Sequence, residues 1–202
     1  MGQPDKNGCN GSPDDGVLPR DMPTSPGTVA AVTDSLAERL AVDLEGAFPD
    51  LVAALADDLH AGLRRLHPAD AEDLTQEAFI RAYRALTAYD PARIRTLRLR
   101  GWVWTIALNL GRNHTRDRAR RPTPVMLHDV HGHHDPEPAD DDAWDRRFAA
   151  LSPRQRRAVV LRHVVGLSYD ELAAALDRPV GTVKADVHRG LGRLRAIMED
   201  ER

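Results

Sequence analysis

The sequence predicts an all-α fold of two small helical domains, an N-terminal four-helix bundle and a C-terminal helix-turn-helix domain, joined by a flexible linker. Apolar residues recur at helical intervals in two stretches of the chain, and both stretches carry helix-start signals. A proline-rich, acidic stretch separates them. The chain has 202 residues, of which 4% are aromatic, so it can bury one or two small cores, and two domains fit this length.

The first 28 residues are rich in Gly, Pro, Asp, Asn and Ser. Such a segment cannot bury enough apolar surface to offset the entropy lost on ordering. Residues 1–28 are therefore predicted to form a disordered extension. A helix is expected next from Val29 to Gly46, and Pro49 is expected to break it.

Leucines at helical spacing predict the core-facing stripe of the bundle. They are Leu51, Leu55, Leu59, Leu63 and Leu66. An acidic helix should begin near Asp70 and turn Leu74, Ala78 and Ala82 inward. A loop is predicted over residues 89–96, because it contains a proline, and a long helix over residues 97–121 completes the domain at residues 29–121.

Two tryptophans in the long helix cannot both face the core. Trp102 and Trp104 are two positions apart, which places them about 200° apart around a helix. We favour core or inter-helix packing for Trp102 over stacking on DNA. The placement of Trp104 stays open.

Residues 122–144 combine prolines, histidines and an acidic run, which predicts a flexible linker. Four histidines within it offer potential metal ligands: His128, His131, His133 and His134. Their spacing is loose and no cysteine lies among them, so a solvated tether is favoured over a metal site.

The C-terminal domain, residues 145–202, carries two helix-start signatures. Ser152 with Gln155, and Ser168 with Glu171, have the spacing of capping boxes, in which the side chains satisfy unpaired backbone amides. The first helix is expected to reach about His163. The turn at residues 177–179 ends the second helix, because a proline ring cannot continue it.

A third helix, from about Val180 to Ile197, has one apolar and one basic face. Its apolar face is Val183, Val187, Leu191 and Leu194. Its basic face is Lys184, His188, Arg189, Arg193 and Arg195. Helices of this kind bury one face and enter the DNA major groove with the other. An ordinary small helical domain is the alternative, but the agreement of so many local signals favours a DNA-binding unit.

Charge is unevenly distributed along the chain. The formal net charge of −3 is unusual for a DNA-binding protein, but the acid is concentrated in the tail of the chain and in residues 135–145. Residues 112–121 and the last helix are basic. Local charge governs DNA contact, so the total does not exclude it.

The single cysteine, Cys9, excludes an intramolecular disulfide and a thiolate metal cage. The longest apolar run, around residues 102–110, is too short to span a bilayer, and the N-terminus lacks a secretory signal pattern. We expect a cytoplasmic protein without membrane insertion or cofactor. Since the sequence ends soon after the third helix, we expect no C-terminal sensing domain.

Two polar strips are candidate functional surfaces. Asp70, Asp73, Gln76 and Glu77 lie three or four residues apart along the acidic helix, although carboxylates also suit the dipole at a helix start. In the long helix, Asn109 and Asn113 share a face and lead into the arginine run. Amides can bond base edges while arginines neutralise phosphates; a solvated face or helix caps are the alternatives.

The motifs resemble those of a bacterial RNA polymerase sigma factor. They are DAEDLTQEAFIRAYRAL at residues 70–86, GWVWTIALNL at 101–110, LSPRQR at 151–156 and GTVK at 181–184. Their order and spacing, over about residues 44–198, are most similar to the compact extracytoplasmic-function (ECF) group of the sigma-70 family. Two independent motif blocks, from regions 2 and 4 of the family, make the resemblance more specific than either alone.

The resemblance implies a role for each surface. The acidic strip would bind the coiled coil of the largest polymerase subunit through Asp73, Gln76 and Glu77, with Asp70 as a weaker member. The long helix would read the −10 promoter element through Asn109, Arg112, Asn113 and Arg116, with Arg120 and Arg121 on phosphate. The third C-terminal helix would contact the −35 element through Thr182, Lys184, Asp186, His188 and Arg189.

Asp186 departs from the family pattern, which usually has an arginine near this position. A carboxylate repels phosphate but can accept a hydrogen bond from a cytosine amino group. We therefore expect Asp186 to weaken −35 binding or to change the preferred sequence. Thr182, near the start of the helix, is expected to bond a phosphate through its hydroxyl or its amide.

The resemblance implies a dissociable promoter-specificity subunit that binds core RNA polymerase and promoter DNA and is controlled by an anti-sigma factor. It implies no catalytic centre, and the sequence contains no phosphate-binding glycine loop or nucleophile elbow. A stand-alone helix-turn-helix regulator is the alternative function. A helical module that sequesters a partner without binding DNA is a third hypothesis.

Overall fold

The computed structural model describes residues 29–120 and 140–201, with side chains over residues 35–116 and 143–201. Every regular element in these ranges is helical. The predicted disordered extension, Arg121, most of the predicted linker and its four histidines lie outside the described residues.

The N-terminal domain contains five helices within residues 29–120. They are α1 (Val29–Val42), α2 (Leu44–Leu66), α3 (Ala71–Thr87), the short α4 (Pro91–Arg95) and α5 (Leu99–Arg120). A 3₁₀ turn, Pro68–Asp70, leads into α3. The predicted leucine stripe and the inward residues of α3 are all buried, so the core prediction is confirmed.

The predicted break at Pro49 is wrong. The first helix ends at Val42, and Asp43 starts the next by accepting a hydrogen bond from the Gly46 amide at 2.9 Å. Helix α2 then continues through Pro49, whose side chain is exposed. Pro49 has no backbone N–H, so the helix lacks one hydrogen bond at this position. Burial of the leucine stripe that follows stabilises the helix by more than this loss costs.

The loop predicted over residues 89–96 is also partly wrong, because it contains α4. Asp90 accepts a hydrogen bond from the Arg93 amide at 2.8 Å, and Pro91 occupies the first helical position. A proline there needs no amide partner and has the right backbone angle. Ile94 anchors this turn in the core.

The C-terminal domain contains α6 (Asp140–Ala149), α7 (Pro153–Val159), α8 (Tyr169–Leu176) and α9 (Val180–Asp200). A π-helical turn, Val160–Val164, extends α7 as far as the predicted helix end. Both predicted capping boxes are present. The turn before α9 contains Asp177 in the left-handed conformation, with φ of 52°.

The linker was predicted to extend to residue 144, but α6 already begins at residue 140. Trp144 is buried, and its ring centroid lies 5.6 Å from that of Phe148 on the next turn. These two aromatic side chains give an otherwise acidic segment an apolar face to bury. Residues 140–144 therefore belong to the C-terminal domain.

The two domains pack against each other along α2, α5, α8 and the π-helical turn. Gly62 on α2 makes this contact close, since a Cβ there would lie 2.6 Å from the Trp104 ring and 2.7 Å from Val165. Trp104 is thus the core tryptophan. Trp102 is half-buried and packs on Tyr89 with ring centroids 6.1 Å apart, consistent with the favoured inter-helix packing.

Candidate nucleic-acid interface

The outward face of α5 carries the predicted amide and arginine set. Asn109, Arg112, Asn113 and Arg116 are all exposed, whereas Leu108 and Leu110 between them are buried. The structure therefore presents these four polar side chains to solvent on one ordered helix. The side chain of Arg120 and the whole of Arg121 lie outside the part of the chain that the structure describes.

The predicted polymerase strip on α3 is exposed or half-buried along its length. Asp73 and Gln76 are exposed, and Glu77 accepts a hydrogen bond from Arg81 at 2.7 Å, one turn along the helix. Asp70 is the least accessible member and lies 3.3 Å from His114 Nδ1 on α5. Thus Asp70 faces α5, while the other three side chains remain available to a partner.

A shallow pocket of about 260 Å³ joins the two surfaces. Its lining residues come from α3, α5 and the 3₁₀ turn, and they are Asp70, Asp73, Leu74, Glu77, Arg81, Leu110, Asn113 and His114. Three of the four predicted polymerase-binding residues therefore share one groove with Asn113 of the predicted −10 set. A macromolecule bound to α3 would lie next to any DNA strand held by α5.

His67 packs against α5 at Gly111. Gly111 allows the close approach, because a Cβ there would lie 2.5 Å from His67 Nε2. Burial lowers the pKa of His67 below its usual value, and the positive charge of Arg157 lowers that pKa further. The neutral imidazole is therefore the favoured form in the folded protein.

Helix α9 is the third C-terminal helix predicted from the sequence. It is the second helix of the helix-turn-helix, called the recognition helix below, and it exposes its polar face as predicted. Val183, Val187, Leu191 and Leu194 are buried, and four of the five predicted −35 residues are exposed: Thr182, Lys184, His188 and Arg189. The ammonium group of Lys184 lies 5.2 Å from the centre of the Tyr169 ring on α8, an arrangement that favours the cation electrostatically.

The backbone amide of Thr182 is already used. It donates to the Pro179 carbonyl at 2.9 Å within the first turn of α9. The expected phosphate contact is therefore left to the hydroxyl alone.

Asp186 does not face outward as expected. It is 7% exposed and accepts hydrogen bonds from Arg178 at 2.6 Å and from Arg189 at 2.7 Å. A carboxylate on the inner edge of α9 is stable there because two guanidinium groups compensate its charge. Asp186 thus joins the turn to the recognition helix and orients Arg189, and its oxygens do not point at a base edge.

Sequence reasoning missed two arginines that the structure makes important. Arg178 was treated only as part of a turn, and Arg100 was not considered at all. Arg100 is 3% exposed and bonds Asp58 at 3.1 Å and the Gly166 carbonyl at 3.2 Å. Its helical spacing with the buried Val103 and Ala107 was the available signal.

Comparisons with known proteins agree with this arrangement. Residues 51–121 match the family model for Sigma-70 region 2, and residues 141–194 match the model for Sigma-70, region 4. The ECF RNA polymerase sigma factor SigE of Mycolicibacterium smegmatis is 36% identical over 196 residues, spanning 90% of this chain and 70% of the relative. The chain belongs to the ECF group of the sigma-70 family.

Other ECF sigma factors are similar along most of their length. The ECF RNA polymerase sigma-E factor of Escherichia coli is 31% identical, with 76% of this chain and 87% of that protein covered. Among solved structures, CnrH in complex with the cytosolic domain of CnrY has a TM-score of 0.63 and 26% identity, covering 84% of this chain and 98% of that chain. The predicted all-α fold with sigma region 2 and region 4 domains is thereby confirmed.

Family membership also decides between the functions considered from the sequence. The chain is an ECF RNA polymerase sigma factor, a transcription initiation factor, and the stand-alone regulator is not favoured. None of the helices in the described part of the chain is long and apolar enough to cross a membrane. Within the same residues, no group of His, Cys, Asp or Glu side chains is arranged to hold a metal ion.

Proposed function

We propose that this sigma factor docks on core RNA polymerase through Asp73, Gln76 and Glu77 of α3, with Asp70 as a supporting residue. The three side chains are accessible along one helix face. A negatively charged strip favours a basic partner surface and excludes DNA from the same face, because phosphates would be repelled. Polymerisation itself belongs to the core enzyme, and the sigma factor contributes no catalytic group.

The outward face of α5 would then bind the −10 element. Asn109 and Asn113 supply paired donors and acceptors for exposed base edges, and Arg112 and Arg116 supply positive charge for the backbone. Arg120 and Arg121 continue the same basic run in the sequence. Such a mixture suits a strand that is being separated from its complement.

The exposed residues of α9 would bind the −35 element. Lys184, His188 and Arg189 are presented on one helix, and the Thr182 hydroxyl stands at its start. Arg189 is held by Asp186, so its guanidinium is oriented before DNA binds. Asp186 acts on −35 recognition through this orientation.

The observation that carries the proposal is the groove shared by α3 and α5. Asp70, Asp73 and Glu77 of the set expected to bind polymerase line the same pocket as Asn113, which is expected to bind the −10 strand. This adjacency couples the two events, because core polymerase bound at α3 would border the DNA strand held on α5. A regulator that acted alone would have no use for the acidic side of the groove.

An anti-sigma factor is proposed as a further partner, and the cytoplasm as the site of action. One similar solved structure is CnrH in complex with the cytosolic domain of CnrY, and another is the sigma factor RpoE in complex with the anti-sigma factor NepR from Bartonella quintana. The latter has a TM-score of 0.60 and 25% identity, covering 77% of this chain and 98% of that chain.

Promoter opening by matched variants tests the proposal. Permanganate reactivity of thymines near −10 should appear when core polymerase and the wild-type protein are added to a responsive promoter. The variant N109A/N113A should still bind core polymerase but reduce the reactivity at least tenfold, whereas E45A, in the exposed first turn of α2 and outside the groove, should match the wild type. Unchanged opening by N109A/N113A would contradict the −10 role of α5.

A further inference from the structure

Four arginines from both domains line one pocket of about 200 Å³. The lining residues are Arg112 of α5, Arg154 and Arg157 of α7, Leu176 of α8 and Arg178 of the turn before α9. No carboxylate is among the described residues that line it. The pocket exists because the domains pack together, since neither domain supplies all of its walls.

The positive charge of this arginine pocket is poorly compensated. Arg178 is paired with Asp186, but Arg112, Arg154 and Arg157 make no ion pair with any described residue. Burial lowers the pKa of Arg157, and repulsion from Arg112, Arg178 and Arg156 lowers it further. Bringing these like charges together costs free energy that an anion in the pocket would offset.

Guanidinium groups select a particular class of anion. Their planar forks bond phosphate oxygens in pairs, and several forks around one cavity suit a group with many oxygens and more than one negative charge. The volume exceeds that of several water molecules, each of which takes up about 30 Å³ in the liquid, so the pocket has enough space for a diphosphate.

We propose that the arginine pocket binds a diphosphate-class anion, free or part of a nucleotide, and that this anion holds the two domains in the closed arrangement. A ligand that contacts both domains binds the closed arrangement more tightly than an open one and shifts the population toward it. A second consequence, for promoter binding, rests on the proposed −10 role of Arg112. An anion bound to Arg112 withdraws that residue from the −10 backbone.

Isothermal titration calorimetry of the full chain with inorganic pyrophosphate tests the site. Without magnesium and at constant ionic strength, we expect saturable binding of one pyrophosphate per chain. R157Q should weaken this binding at least tenfold, and R84Q, which removes an equal charge from the exposed surface of α3, should not change it. Absence of saturable binding, or equal binding by R157Q and the wild type, would overturn the proposal.

Thermal unfolding provides a readout that a purely structural role for Arg157 would not produce. Without an anion, R157Q should unfold at the same or a higher temperature than the wild type, because it removes repulsion from the pocket. Saturating pyrophosphate should raise the unfolding temperature of the wild type and of R84Q but not that of R157Q. An equal rise of the unfolding temperature in all three proteins would mean that pyrophosphate stabilises them without binding at Arg157, and it would overturn the proposed site.

Binding of a short DNA duplex without promoter sequence shows whether the pocket takes its phosphate groups from a DNA backbone or from a free diphosphate. If the duplex binds with the same dependence on Arg157 while pyrophosphate does not bind, the free-anion site is overturned. These binding measurements are independent of transcription. Pyrophosphate binding without sigma activity would defeat the proposed function alone, and sigma activity without pyrophosphate binding would defeat this inference alone.

Discussion

Arg189 donates a hydrogen bond to Asp186 at 2.7 Å, one turn earlier on the recognition helix. Asp186 is buried beneath it and also accepts from Arg178 at 2.6 Å. The residue that departs from the family pattern is therefore an internal support for an exposed arginine that we propose to contact DNA. This relationship changes what the substitution of Asp186 should do.

A double-mutant cycle on −35 binding distinguishes support from direct base reading. D186A should weaken binding because Arg189 loses its orientation, and once Arg189 is replaced by Ala the same change should have little further effect. We expect a coupling energy of about 1–2 kcal/mol from the charged hydrogen bond. The measurement is the affinity of the four proteins for a promoter found by start-site mapping.

Arg193 provides the control for this cycle, since it is an exposed arginine on the same helix. D186A and R193A should combine additively. Additive effects of D186A and R189A, together with a changed base preference at one position, would instead make Asp186 a base-reading residue.

Arg100 should stabilise the closed arrangement of the domains. It connects Asp58 on α2 to the carbonyls of Val165 and Gly166 in the C-terminal domain. R100M removes the guanidinium that bonds the largely buried Asp58 carboxylate, which should lower the free energy of unfolding by about 1–3 kcal/mol. Denaturant unfolding at constant pH measures this loss, and R98M, at an exposed neighbouring position, should lose far less.

The double variant D58A/R100M should be more stable than R100M alone, because the buried carboxylate that has lost its guanidinium partner is removed as well. Equal stability of R100M and R98M would show that the buried pair contributes nothing to the packing of the domains.

Charge reversal in the acidic strip should disrupt polymerase binding without unfolding the protein. Asp73 is exposed near the start of α3, so D73R places a positive charge where a basic partner surface is expected. We expect at least a tenfold loss of affinity for core polymerase. E45R is the matched control, because Glu45 is exposed in the first turn of α2 and outside the groove.

Both reversals oppose a helix dipole and should cost similar stability, about 0.3–1 kcal/mol. An unchanged affinity of D73R, or an equal loss in E45R, would contradict the assignment of the strip.

His67 should make stability depend on pH. Its pKa is lowered in the folded protein, chiefly by burial and then by Arg157, so the unfolded chain binds more protons below its usual pKa of 6.5. Stability is therefore full above that value and is lost as the pH falls from about 6.5 toward the lowered pKa. Asp70 raises the pKa and His114 and Arg156 lower it, but these are smaller causes.

Urea unfolding at pH 7.5 and pH 5.5 measures this dependence. The wild type should lose more stability between the two values than H67Q, whose side chain does not titrate, while H60Q should behave like the wild type because His60 is exposed. Equal losses in the wild type and H67Q would contradict the account.

Local signals explain why the helices of the C-terminal domain were predictable. Ser152 and Ser168 each begin a capping box, and that information lies within four residues of sequence. The break at Asp43 was missed because proline usually ends a helix, and the break was therefore expected at Pro49. The role of Asp43 as a helix cap becomes visible only in the hydrogen bond that it accepts from the Gly46 amide. Burial of the leucines that follow then outweighed the proline.

Long-range contacts explain what the sequence did not reveal. Asp186 was expected to face DNA because the family resemblance assigns its position to the −35 contact, and only the folded turn brings Arg178 to it. Likewise, the partners of Arg100 lie 42 and 66 residues away along the chain. No short-range pattern encodes such pairings.

Run-off transcription from a genomic DNA library, with core polymerase in the presence and absence of the protein, distinguishes a sigma factor from a DNA-binding protein that acts alone. We expect new, protein-dependent start sites that share −35 and −10 elements, and we expect D73R to abolish them while E45R does not. Specific DNA retention by the protein alone, without any new start site, would contradict sigma activity.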